Sequence, residues 1–221
     1  MITFRGARGG TSGDTMNPAR RRLLQATAAG LVAGAASPLL SGRPPAFGAE
    51  TEQDKALVVY FSRTGTTRVV AGRIHDLVGG DIVELRPVDP YPADYQAATE
   101  QAKREQESNA RPPLATDVAD LAPYRTLFIG YPIWWGTLPM ALLTFLDRHD
   151  VAGRTVVPFC THEGSGLGRS VRDIEARCTR ATVRDGLALH GGTGGVATGD
   201  AGRERVAQWL RALKIGLVQP G

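Results

Sequence analysis

The sequence predicts an α/β domain in which a five-stranded parallel sheet carries helices on both faces. Apolar, β-branched runs alternate with amphipathic helical patterns, and a turn rich in hydroxyl groups follows the first run. From Leu57 to Phe61 the first run is hydrophobic, as a buried parallel strand is. For five strands with a ligand loop after the first, the expected strand order is 2-1-3-4-5, with right-handed crossovers. We place this single domain at residues 49–221.

The elements follow one another along the chain. Strands are predicted at Lys55–Phe61, Asp81–Val88, Thr126–Tyr131, Thr155–Thr161 and Ala181–His190. Helices are predicted where apolar residues recur at helical spacing. They cover residues 66–79, 139–149, 168–178 and 202–213.

The connection from Asp89 to Tyr124 is long for such a fold. We expect one surface helix over residues 93–109, followed by an irregular return. The interpretation we favour is a solvated helix that replaces a crossover helix. The alternative is a lid beside a bound ligand, with Tyr91 or Tyr95 pointing inward.

The first 48 residues differ from the rest in charge. They hold six of the 26 basic residues and one of the 22 acidic residues, which leaves 20 basic and 21 acidic residues in the domain. The basic isoelectric point therefore gives no basis for nucleic-acid or anionic-membrane binding. Arg20–Arg22 precede an apolar segment rich in Ala and Gly, and small residues stand at Ala46 and Gly48. This pattern is typical of a cleaved signal peptide.

The arginines of this leader resemble a twin-arginine signal, which implies export of the folded protein to the periplasm or out of the cell. The alternative is a membrane anchor over Leu23–Leu40, which is weakened by its six Ala, two Gly and Pro38. We expect no stable anchor in the mature chain, which would begin at Ala49. Met16 offers an alternative start.

A turn rich in hydroxyl groups, here called the first loop, joins the first strand to the first helix. Its residues are Ser62, Arg63, Thr64, Gly65, Thr66 and Thr67. The first N–H groups of a helix lack intrahelical partners and the helix dipole is positive there, so this turn is suited to hold a phosphate. The spacing matches neither the Walker loop nor the dinucleotide motif G-x-G-x-x-G. The alternative is a capped turn without a ligand.

Two further loops should meet the first one, because ligands of doubly wound sheets bind beyond the carboxyl ends of the strands. The second loop contains Pro132, Ile133, Trp134, Trp135 and Gly136, and the third contains Thr161, His162, Glu163, Gly164, Ser165 and Gly166. One tryptophan is expected to stack on a planar ligand and the other to fill the core. His162 is either a donor to the ligand or an exposed loop residue. Gly191–Gly195 is expected to be a flexible loop.

The first and second loops, together with the alternation of strands and helices, resemble the flavodoxin family. The resemblance implies a flavodoxin-like sheet and FMN as the cofactor, with the FMN phosphate in the first loop. Hydroxyl groups of Ser62, Thr64 and Thr67 would hold the phosphate. The N–H groups of Gly65 and Thr66 would add to these contacts, and the second and third loops would line the flavin ring.

The resemblance covers nearly all of residues 55–213 and implies an exported redox protein that passes electrons to an unidentified partner. One alternative is an FMN-dependent NAD(P)H or quinone oxidoreductase. The nearly neutral domain departs from the acidic surface usual in the family, and the third loop lacks the Tyr that often covers the second face of the flavin. The chain could also be a flavodoxin-like module without FMN, or a serine hydrolase using Ser165. Against the hydrolase, Glu163 stands where the motif G-x-S-x-G requires Gly.

The two cysteines, Cys160 and Cys178, are predicted not to pair, although export would favour a disulfide. Cys160 lies near the carboxyl end of the fourth strand, and a helix of about eleven residues then carries the chain back by about 16 Å. A disulfide needs Cα atoms within about 7 Å.

Overall fold

The computed structural model describes residues 55–192 and 194–218. Within these residues the strands are β1 (Lys55–Tyr60), β2 (Asp81–Glu84), β3 (Tyr124–Pro132), β4 (Thr155–His162), β5 (Thr182–Val183) and β6 (Leu187–His190). The helices are α1 (Thr66–Val78), α2 (Tyr95–Glu107), α3 (Met140–Arg148), α4 (Ser170–Arg177) and α5 (Asp200–Ala212). The predicted leader, residues 1–48, lies outside the described residues. No helix in the described part of the chain is long and apolar enough to cross a membrane.

All neighbouring strands of the sheet are parallel, and their order β2-β1-β3-β4-β5 confirms the predicted doubly wound sheet. The register places Leu57 beside Leu127 and Phe128 beside Val157. The first and third strands therefore lie at the centre, and their carboxyl ends open at the same edge of the sheet.

The fifth strand differs from the prediction, because Ala181–His190 forms two short strands rather than one. β5 pairs with the start of β4, and β6 pairs with its end. Between them the Asp185 carbonyl accepts a hydrogen bond from Trp209 Nε1 of α5 at 3.0 Å. The N–H of Arg184 still donates to the Val156 carbonyl of β4 at 2.9 Å, so the segment between the two short strands stays beside β4.

The second strand is also shorter than the predicted Asp81–Val88. After Glu84 the chain reaches Pro87, which has no N–H to donate to a ladder. The N–H of Val88 instead donates to the Pro113 carbonyl at 2.8 Å. The residues after Glu84 therefore pair with the long connection between β2 and β3 instead of extending β2.

Alternate side chains of β1 enter two hydrophobic clusters on opposite faces of the sheet, as expected for a strand buried on both sides. Leu57 and Val59 pack with residues of α3 and α4, whereas Val58 and Tyr60 pack with residues of α1 and α5. This arrangement confirms that helices cover both faces.

Gly130 of β3 lies directly beside Phe159 of β4 in the parallel register. A Cβ atom at residue 130 would come within 2.1 Å of the Phe159 ring. Because Phe159 is fully buried, the ring occupies the space that a side chain at residue 130 would need.

Both cysteines are buried and free. Cys160 lies in β4, and Cys178 follows the last residue of α4. Burial raises the pKa of the Cys160 thiol to about 12 and that of the Cys178 thiol to about 11. Neither thiol is therefore ionised at neutral pH in the folded chain.

We expect thiol titration of the denatured, unreduced protein to find two free thiols. In the native protein at pH 8 both should react far more slowly than a free cysteine, because burial hides them and keeps them protonated. Reactivity in the native and the denatured state can be compared with the same aromatic disulfide reagent. An intramolecular bridge mapped by mass spectrometry would contradict the placement of α4.

Candidate ligand-binding site

A cavity of about 320 Å³ lies where the three predicted loops meet, at the carboxyl ends of the central strands. Its volume falls in the range of small-molecule sites. The predicted residues that line it are Arg63, Thr64, Thr66, Thr67, Pro132, Ile133, Trp134, Trp135, Thr161, His162 and Glu163. The structure therefore brings together residues from all three loops.

The first loop uses some of its polar groups to hold its own shape. The Ser62 hydroxyl oxygen accepts hydrogen bonds from the N–H groups of Gly65 at 3.1 Å and Arg68 at 3.3 Å. Gly65 has a φ of +92°, which glycine adopts without strain. Ser62 and Gly65 lie outside the lining of the cavity, and the Gly65 N–H is committed to the turn rather than free for a phosphate.

The threonines of the first loop fall into two groups. Thr67 is buried, and its Oγ1 lies 2.8 Å from Oγ1 of Thr161, so this hydrogen bond joins the first loop to the third. The hydroxyls of Thr64 and Thr66 lie 3.4 Å apart on the more exposed part of the turn. These two hydroxyls, rather than that of Thr67, are the groups best placed to meet a ligand.

Arg63 adds a positive charge to the same wall of the cavity. Its Nη2 donates to the Ala93 carbonyl at 2.6 Å, and its guanidinium lies 5.8 Å from the ring centroid of Tyr95. Its Nε is buried and has no hydrogen-bond partner among the described residues. An unsatisfied buried donor costs about 1–3 kcal/mol. The donor set therefore fits a ligand that brings an anionic acceptor.

The second loop forms a tight turn in which Trp134 and Thr137 exchange backbone hydrogen bonds at 2.8 and 3.0 Å. The central residues, Trp135 and Gly136, have positive φ values of 49° and 76°. Such a φ is uncommon for a bulky residue and indicates local strain at Trp135. Gly136 does not line the cavity, and its carbonyl accepts a hydrogen bond from the N–H of Arg169 at 2.8 Å.

The two tryptophans have different environments. Trp134 packs edge-on against Phe61 and Tyr91, with ring centroids 5.4 and 4.8 Å apart. Trp135 is 46% exposed, and its Nε1 donates to the Thr99 carbonyl of α2 at 2.9 Å. Trp134 is therefore half-buried between the core and the cavity, whereas Trp135 stands at the rim of the cavity.

Helix α2 forms one wall of the cavity, a position that the favoured interpretation of a solvated helix did not include and that the alternative did. Its lining residues are Tyr95, Ala98, Thr99 and Ala102. Ala98 and Ala102 are buried, four residues apart in an otherwise polar helix. Their spacing was the available signal, because residues four apart share a helix face. The surface helix expected over residues 93–109 is thus present, and its inner face lies beside the cavity, as the alternative interpretation has it.

The third loop places His162 in the lining of the cavity. Its Nδ1 accepts a hydrogen bond from the Gly164 N–H at 2.9 Å, so a neutral ring carries its proton on Nε2. Burial lowers the pKa of His162, and the nearby His190, whose ring centroid is 5.7 Å away, lowers it further. His162 therefore offers a neutral N–H donor at neutral pH. Gly164 and Gly166 shape the turn without lining the cavity.

Ser165 does not form a nucleophile–base pair. Its side chain is exposed and lies outside the lining of the cavity. Among the described residues no hydrogen bond joins Ser165 to His162 or His190. The geometry thus gives no support to the alternative of a serine hydrolase.

Gly191, which follows β6, is a further lining residue that was not among the predicted site residues. Its N–H donates to the His162 carbonyl at 2.9 Å. A Cβ atom here would come within 3.1 Å of the Thr66 side chain. This close approach brings the chain after the last strand against the first loop, and the glycine-rich composition was the signal for it.

Comparisons with known proteins agree with this architecture. The family model described as flavodoxin matches residues 55–212. A candidate flavoprotein of Bacteroides uniformis is 33% identical with a TM-score of 0.62, over 72% of this chain and 98% of that one. A candidate flavoprotein of Bacteroides eggerthii is 30% identical with a TM-score of 0.63, over 73% of this chain and 98% of that one.

A flavoprotein of Lactobacillus acidophilus, solved in complex with FMN, is 24% identical with a TM-score of 0.55. The match covers 61% of this chain and 92% of that one. The search of curated proteins found no match. Because the flavodoxin model matches the described sheet and all three loops, the chain belongs to the flavodoxin family.

Proposed function

We propose that this chain is an exported redox protein that binds FMN in the cavity formed by the three loops and α2. The observation that carries the proposal is the meeting of an arginine and threonine hydroxyls with an aromatic rim in one cavity of small-molecule size. FMN is the cofactor that family membership supports, and a flavoprotein of similar fold was solved with FMN. When bound, FMN supplies an isoalloxazine ring that accepts and returns electrons.

The first loop is suited to the anionic end of this cofactor. Hydroxyls of Thr64 and Thr66 would donate to the phosphate, and α1 begins at Thr66, where the helix dipole is positive. Arg63 would supply a charge and its unpartnered Nε. Thr67 would act indirectly, since its hydroxyl holds Thr161 in place.

The rest of the cavity is suited to a planar ring. Trp135 would cover part of it, and the small side chains of Ala98 and Ala102 leave room along α2. His162 would present its Nε2–H to an acceptor on the edge of the ring. Trp134, packed against Phe61 and Tyr91, would form the base of this part.

The proposal of export rests on the leader sequence. Basic residues Arg20–Arg22, an apolar stretch and small residues before Ala49 have the order of a twin-arginine signal. This route carries folded proteins, so FMN made in the cytoplasm would cross the membrane already bound.

We expect the full chain, expressed in a bacterium with this pathway, to yield a yellow periplasmic protein that begins at Ala49. Fractionation and N-terminal sequencing would test the export and the cleavage site, and chromatography of the released flavin would test the binding of FMN. Replacing Arg20–Arg22 with Lys should keep the flavin-loaded precursor in the cytoplasm. A colourless folded protein would refute FMN binding, whereas export of the Lys variant would refute the assigned signal.

Thr66→Ala should weaken FMN binding by about 1.5–3 kcal/mol, because a hydrogen bond to a charged group is lost. Thr66→Ser keeps the hydroxyl and is the matched control. Riboflavin, which lacks the phosphate, should bind the Ala variant and the original chain alike. Equal FMN affinity of all three chains in a fluorescence titration would place the phosphate elsewhere.

Replacing Trp134 and replacing Trp135 should have different effects on stability and on FMN binding. Trp134→Ala should mainly lower the free energy of unfolding, on the order of 3 kcal/mol, because it empties a packed aromatic cluster. Trp135→Ala should mainly weaken FMN binding, by about tenfold, because ring stacking is lost. Urea unfolding measures the free energy of unfolding, and FMN titration measures the affinity. Trp209→Ala, which is outside the lining of the cavity, is the control for the loss of a tryptophan without loss of FMN affinity. An inverted pattern would assign the stacking role to Trp134.

A further inference from the structure

We propose that Arg63 is a positioning residue that couples occupation of the first loop by phosphate to the position of α2 along the flavin ring. This inference rests on the proposed binding of FMN. It assigns to one side chain two simultaneous contacts, one with the cofactor phosphate and one with the start of the helix that forms the wall.

The contact with the helix is present in the structure. Arg63 Nη2 donates to the Ala93 carbonyl at 2.6 Å and approaches the Pro92 carbonyl at 3.5 Å. Both carbonyls directly precede Asp94, whose side chain caps the first turn of α2. The guanidinium also lies over Tyr95, the first residue of the helix. Arg63 therefore holds the chain at the point where α2 begins.

The contact with the phosphate is inferred from what Arg63 lacks. Its Nε is buried without an acceptor in the described part of the chain, and Arg63 lines the cavity beside Thr64 and Thr66. The contacts of its guanidinium with the start of α2 are neutral carbonyls and an aromatic ring, and no carboxylate of the described residues forms an ion pair with it. A phosphate in the first loop would supply both an acceptor and the opposite charge.

Helix α2 depends on few contacts for its position. The buried side chains on its inner face are Ala98 and Ala102, which contribute little apolar area. Its polar attachments include Trp135 Nε1 to the Thr99 carbonyl at 2.9 Å and the Tyr91 hydroxyl to Glu105 at 2.5 Å. With so little buried surface, fixing Arg63 at the start of the helix should reduce the motion of its first turns.

The consequence is a coupling between two parts of one site. Phosphate in the first loop would favour the position of α2 that fits the ring, and the ring would in turn favour phosphate by the same factor, since such coupling is reciprocal. FMN carries both groups on one molecule. The coupling is therefore measurable only when the two groups are offered separately.

The experiment uses the full chain freed of flavin, with riboflavin and inorganic phosphate as separate probes. In the original chain, saturating phosphate should tighten riboflavin binding by about tenfold. In Arg63→Gln the effect should fall below about twofold. The same loss is expected in Arg63→Lys, because an ammonium keeps the charge but lacks the planar set of donors that can contact both sides.

The matched control is Arg68→Gln. Arg68 is an arginine directly after the first loop. Its side chain is exposed and forms an ion pair with Glu84 at 2.5 Å. It should retain the full effect of phosphate on riboflavin binding, which separates a specific role of Arg63 from a general effect of charge. Circular dichroism should confirm that each variant is folded.

A second measurement needs no variant. Inorganic phosphate alone should slow hydrogen exchange of the amides of α2 in the original chain, and it should leave those of α5 unchanged. No protection of α2, or full coupling in Arg63→Gln, would overturn the inference while FMN binding by the original chain leaves the proposed function intact. A chain that binds neither FMN nor riboflavin would overturn both.

Discussion

The hydrogen bond between the hydroxyls of Thr67 and Thr161, 2.8 Å long and buried, determines how the loops of this protein meet. It joins the first turn of α1 to the end of β4, across the carboxyl edge of the sheet. The Thr161 carbonyl accepts a hydrogen bond from the N–H of Ile133 at 2.8 Å, which fixes the second loop to the same point. Both hydroxyls are shielded from water, so losing either would leave its partner unsatisfied. The base of the cavity is thus held together by hydrogen bonds among the three loops.

Much of the fold was predictable because it depends on local patterns. The apolar run before Ser62 has the composition of a buried strand, and the hydroxyls after it mark a helix start at a strand end. The topology of doubly wound sheets then brings three loops together without further information. Residues of the first and second loops line the cavity for this reason.

The features that the sequence did not predict depend on contacts between residues far apart in the chain. The composition of α2 is polar, and the spacing of Ala98 and Ala102 marks a shared helix face without indicating that this face meets the cavity. The two adjacent tryptophans look equivalent until Tyr91, from the long connection, packs on Trp134. Between β5 and β6 the Asp185 carbonyl accepts a hydrogen bond from Trp209, which lies 24 residues further along the chain. Local propensity carries no signal for any of these tertiary contacts.

The pairing of Gly130 with Phe159 has a consequence for how this sheet can change in evolution. The ring of Phe159 occupies the space that a side chain at residue 130 would need. The combined side-chain volume at these two positions is therefore limited. A larger residue at 130 is compatible with the sheet only if the residue at 159 becomes smaller at the same time. In related sequences, a larger side chain at one of these positions should therefore accompany a smaller one at the other, so that their combined volume stays nearly constant. The neighbouring strands β3 and β4 would then keep their spacing, and with it the distance between the second and third loops.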